Sequence, residues 1–128
     1  MDVPRILSTL LQLCGAGALL LGVAFWLGYA PGLTQLHIGL GLALVLLLWT
    51  LAWIALQRTA RYGLATLAAV CGLFTWVLGV TQSQILPGSL HWVVQVTHLA
   101  VAGISIALGK LLAAAAVRGA AGSASLSR

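Results

Sequence analysis

Acidic side chains are nearly missing from this chain. Its 128 residues include a single carboxylate, Asp2, and charged residues of both signs make up only 5%. A soluble domain carries about 25% charged residues, so a water-exposed globule is excluded. Small proton-driven transporters need an ionisable coupling group inside the membrane, typically Asp or Glu, and the apolar stretches hold neither. Long loops are missing too, which leaves no place to build a hydrolase site. The two cysteines, Cys14 and Cys71, both fall inside apolar stretches and read as small buried hydrophobes rather than a disulfide.

What is present is hydrocarbon. Apolar residues make up 62% of the chain, and the mean hydropathy is +1.13. Four long apolar stretches stand out, Ile6–Gly28, Leu33–Gln57, Tyr62–Thr81 and Ser89–Val117. Each reaches the ~20 residues that cross ~30 Å of hydrocarbon. The expected fold is therefore all-α: an integral membrane antiparallel four-helix bundle with an up-down-up-down path and short loops. The first stretch is too long for the core of a secretory signal and leads to no small-residue cleavage site, so it reads as a retained helix. Residues 119–128 are rich in Ala, Gly and Ser and read as a flexible cytoplasmic tail behind a bundle spanning residues 1–118.

A net charge of +5 raises the question of nucleic acid. The basic residues do not form the patch that a groove would require. Arg5 precedes the first span, Arg58 and Arg61 lie between the second and third, and Arg118 and Arg128 follow the fourth. The other two connections, around Pro31-Gly32 and Pro87-Gly88, carry no charge. The positive-inside rule then puts both termini in the cytoplasm and the two Pro-Gly loops outside, with a bacterial inner or plasma membrane as the location. Lys110, inside the last span, can snorkel its amine to the cytoplasmic headgroups.

The spans carry stripes of small or polar residues at alternating steps of three and four, which let helix backbones approach closely. They run Ser8, Leu11, Gly15, Ala18, Gly22, Phe25 in the first span and Ala65, Ala68, Gly72, Thr75, Gly79, Gln82 in the third. The fourth reads His91, Gln95, His98, Ala102, Ser105, Gly109. A parallel internal repeat is visible as well. Cys14-Gly15, Gly22-Val23, Pro31-Gly32 and Leu36-His37 match Cys71-Gly72, Gly79-Val80, Pro87-Gly88 and Leu90-His91, with an offset drifting from 57 to 54 residues.

Histidine is the candidate metal ligand in these spans. His37 lies 21 residues before Arg58, and His98 lies 20 before Arg118. Both should sit about 30 Å from those charges, on helices that run the same way. The two imidazoles can then meet at one level in the outer leaflet, across the diagonal of the bundle. A neutral imidazole inside a membrane needs a partner, and a shared haem iron is one. Gly22 and Gly79 fall near that level on the other two helices, and Gly39, Gly41 and Gly103 lie beside the histidines. Glycine walls leave room for a flat macrocycle.

His91 lies seven residues before His98 on the same face. It fits a contact to a haem propionate, or it replaces His98 as ligand, as the Leu-His match in the repeat suggests. The plainer alternative keeps His37 and His91 as interfacial residues and satisfies His98 by a hydrogen bond from Gln95, Thr97 or Ser105. Zinc and copper are disfavoured, because no Cys, Asp or Glu lies near the histidines. Cys-x-x-Cys-His is absent, so the haem is expected to be non-covalent haem b.

On these residues the chain resembles b-type membrane cytochromes, and more particularly it is similar to one half of the haem A synthase family. The similarity covers about 110 residues and rests on Gln35-Leu36-His37-Ile38-Gly39-Leu40-Gly41 opening the second span and Val96-Thr97-His98-Leu99-Ala100 in the fourth. It implies a four-helix half with histidines on helices two and four near the outer face. Family members usually place a carboxylate just before the helix-two histidine and often a cysteine pair in the outer loop. Here Pro31-Gly32-Leu33-Thr34-Gln35-Leu36 supplies neither.

The functional expectation is a membrane haem b protein with bis-His ligation by His37 and His98. It would serve one-electron transfer or haem handling, as an electron carrier rather than a stand-alone enzyme. Its partners would be the lipid bilayer, redox proteins or a larger complex, or a second copy of the chain, and not nucleic acid. The alternative is a cofactor-free accessory subunit of a larger membrane complex.

Overall fold

The computed structural model describes residues 2–126 and is all-helical among them. Helix α1 spans Val3–Trp26, α2 Thr34–Thr59, α3 Tyr62–Thr81 and α4 His91–Leu126. Short 3-10 turns at Pro31–Leu33 and Gln82–Gln84 adjoin α2 and α3. All four helices are long and apolar enough to cross a membrane.

The boundaries follow from local chemistry. Helix α1 begins three residues earlier than its apolar run because Pro4 sits in its first turn, where no backbone N–H is needed. Helix α2 stops at Ala60, which takes the left-handed conformation at φ 50° and donates its N–H to the Leu56 carbonyl at 3.2 Å. The tail expected from residue 119 onward is instead helical as far as Leu126. Alanine is the strongest helix former, and Ala113–Ala116, Ala120 and Ala121 carry the helix on. A Cβ on Gly119 would lie 2.6 Å from the Arg58 carbonyl oxygen, so glycine permits α4 to pass the end of α2. Residues 127 and 128 lie outside the described part.

Neighbouring helices run in opposite directions. Gly15 and Gly22 of α1 meet Leu44 and His37 of α2 in reversed order, Thr75 and Gly79 of α3 meet Ser105 and His98 of α4 likewise, and Gly72 of α3 meets Trp49 of α2 across a two-residue connection. Helices α2 and α4 run parallel, meeting at His37 and His98 near one end and at Arg58 and Ala116 near the other, while α1 and α3 hardly meet. The cross-section is thus a rhombus with α2 and α4 on its short diagonal. In the half nearest the arginines α2 and α4 pack directly against each other. There Leu44, Leu48, Leu51, Leu108 and Leu112 form a core with Leu11, sealed by Ala52, Ala55, Ala65, Ala68, Ala113 and Ala116. Small residues at these positions bring the backbones close enough for direct packing. Toward the Pro-Gly loops the bundle opens.

The burial pattern shows the internal repeat. Ser8, Leu11 and Gly15 of α1 and Ala65, Ala68 and Gly72 of α3 are buried at an offset of 57. Leu44, Leu48, Leu51, Ala52 and Ala55 of α2 correspond to the buried Ser105, Gly109, Leu112, Ala113 and Ala116 of α4 at an offset of 61. His37 therefore corresponds to His98, and the Leu36-His37/Leu90-His91 match is corrected. The connection between α3 and α4 is longer than its counterpart between α1 and α2.

Candidate functional site: a cleft between two histidines

The open half of the bundle encloses a cleft of about 220 Å³, or about 1210 Å³ with its open mouth included. All four helices line it. His37 and Gly41 come from α2, His98 and Gly103 from α4, Gly22 from α1 and Gly79 from α3. The two imidazoles face each other, with ring centroids 6.5 Å apart and planes inclined at 58°. An imidazole nitrogen binds a first-row metal at about 2.0–2.1 Å and lies about 1.1–1.2 Å from its ring centre, so two rings on opposite sides of one metal have centres about 6.2–6.6 Å apart. The observed separation falls in that range. Among the described residues no three His, Cys, Asp or Glu side chains converge, so the pair offers two ligands and no more. A haem iron takes one or two protein ligands, and a pair of imidazoles is one such set.

The rings are held differently. The Nδ1 of His37 lies 2.9 Å from the Ala18 carbonyl oxygen of α1, to which it donates as the Nδ1–H tautomer. That fixes the ring and leaves Nε2 with a free lone pair. Phe25 adds an edge contact, its ring centroid 5.4 Å from that of His37. The Nδ1 of His98 is buried and has no hydrogen-bond partner among the described residues. The three residues that might have satisfied His98 do not do so at Nδ1. Thr97 bonds the Val93 carbonyl at 2.7 Å, Ser105 pairs with Thr75 at 3.0 Å, and Gln95 lines the cleft without reaching that nitrogen. An unpaired polar atom in such surroundings costs about 1–3 kcal/mol and calls for an explanation.

The glycines divide into two sets. A Cβ on Gly22 would lie 3.4 Å from Cε1 of His37, and one on Gly79 would lie 3.2 Å from Cε1 of His98. These two let the Cε1 edge of each ring approach the neighbouring helix closely. Gly41 and Gly103 line the cleft, and a Cβ on either would meet nothing within 4 Å. They keep the cleft itself clear. Gly39 does not line it. Nor does His91, whose Nδ1 lies 3.3 Å from the Ile85 carbonyl in the preceding loop.

Two features escaped the sequence reading. The Ala18 carbonyl is a backbone group, and no residue type announces it, although Ala18 lies one turn from Gly22 on the first stripe. The buried Thr75–Ser105 pair, at the floor of the cleft, was visible only as two stripe members on separate spans. No family model, curated protein or solved structure matches the chain.

Proposed function

We propose that the chain is an integral membrane haem b-binding protein in which His37 and His98 ligate one iron from opposite sides. The observation that carries the reading is the pair of imidazoles 6.5 Å apart across a cleft kept clear by Gly41 and Gly103. The His98 ring adds support, since no described residue bonds its buried Nδ1 and an imidazole not held by hydrogen bonds inside a membrane needs another partner. When bound, haem supplies a one-electron iron couple, and bis-imidazole ligation leaves no open position. The chain's own part is to position two rings, exclude lipid between them and surround the site with hydrocarbon. Gln82 and Gln95, which line the cleft near its loop end, are the groups that would receive the propionates. This role replaces the one expected of His91.

Charge asymmetry supports a membrane orientation with both termini in the cytoplasm and the cleft in the outer leaflet. One-electron transfer or haem handling, alone or within a redox complex, is the function that follows. We do not extend the proposal to synthase chemistry, because no carboxylate precedes His37. The test is the visible spectrum of protein purified from haem-replete cells, before and after dithionite. Low-spin b-type bands are expected, altered or lost in His37→Ala and His98→Ala and kept in His91→Ala. A colourless preparation would contradict the proposal.

A further inference from the structure

We infer that the two histidines are unequal ligands, with His37 the fixed one and His98 the one that a small neutral donor, such as a diatomic gas, displaces. The inference rests on the haem reading above. It comes from a comparison that the internal repeat makes available. At the offset of 57 that relates α1 to α3, Ala18 corresponds to Thr75, Gly22 to Gly79 and Phe25 to Gln82. Each histidine packs on the corresponding glycine, so the two halves present their rings alike.

The supports behind the rings differ. The Ala18 carbonyl accepts the Nδ1–H of His37 at 2.9 Å, and Phe25 blocks rotation of that ring. On the other side Nδ1 of His98 has no partner among the described residues, the Thr75 hydroxyl turns to the Cys71 carbonyl and to Ser105, and Phe25 is replaced by the flexible Gln82. A hydrogen bond from the second ring nitrogen orients a ligating imidazole and raises its basicity, and its loss typically costs 10–100-fold in metal affinity. His98 lacks both effects, and Gly103 beside it leaves open space. Its replacement would be a simple exchange, one bond to the His98 nitrogen given up for one to the incoming lone pair, with no change of oxidation state.

The experiment uses the full chain in detergent, titrated with haemin, reduced and exposed to carbon monoxide as the probe. The wild type should take up haemin and shift its Soret band under carbon monoxide. His98→Ala should hold haemin within about tenfold of the wild type, in a five-coordinate form that added imidazole returns to low spin, while His37→Ala, which removes both the ring and its hydrogen bond to Ala18, should weaken binding by more than about tenfold. Absence of a carbon monoxide shift in the reduced wild type overturns the inference even if a variant fails to fold. Haemin held as tightly by His37→Ala as by His98→Ala overturns it as well. Failure of the wild type to take up haemin removes the haem reading and this inference with it.

Discussion

At the scale of single residues, the site depends on what is missing from four side chains. Gly41→Leu places a branched side chain into space where a Cβ now meets nothing within 4 Å. It should abolish haemin uptake while leaving thermal unfolding in detergent nearly unchanged, since the added atoms clash with no neighbour. Gly72→Val is the contrasting case. Its Cβ would lie 2.6 Å from the indole nitrogen of Trp49, which donates to the Ala69 carbonyl at 3.3 Å. Overpacking there should cost about 1–3 kcal/mol of stability, measured by titration into a denaturing detergent. Thr75→Val removes the buried hydroxyl pair with Ser105, and hydrogen bonds between membrane helices are worth about 0.6 kcal/mol on average. The histidine pair was legible in the sequence because depth along a helix is a matter of counting. The anchoring of His37 was not, because a backbone carbonyl has no letter.

Among the elements, the spans were legible to within a few residues except at the end of α4. Long apolar runs bounded by Pro-Gly turns and arginines permit little else. The register of α4 against the repeat was not legible. Leu36-His37 and Leu90-His91 are identical dipeptides, and a local match cannot reveal a longer connection. Only the buried positions of α2 and α4 show that the correct partner of His37 is His98. The helical continuation of α4 to Leu126 was missed because glycine and serine outweighed alanine in the reading, whereas contact with the end of α2 holds that turn in place. The end of α2 makes a prediction of its own. Ala60 occupies a left-handed conformation at φ 50°, which costs a residue with a Cβ about 1–2 kcal/mol. Glycine removes that cost but gains chain entropy when unfolded, so Ala60→Gly should stabilise by about 0.5–1 kcal/mol in the same assay.

For the molecule as a whole, the bundle is dry at the arginine end and hollow at the other. Leucines on α2 and α4 close the first half, and small residues with two histidines hold open the second. The charge distribution predicts which end faces which compartment. A cysteine at Ser89, in the uncharged loop, should react with a membrane-impermeant thiol reagent applied outside intact cells. One at Gln57 should react only after the membrane is opened. The reverse pattern would invert the orientation. The most direct test of the whole account is a titration of the purified wild-type chain with haemin, following the Soret band and counting equivalents. Ligation by His37 and His98 should give a saturable, low-spin spectrum with an end point at one haem per chain. A featureless titration, in which haemin partitions into detergent with no end point, would contradict it.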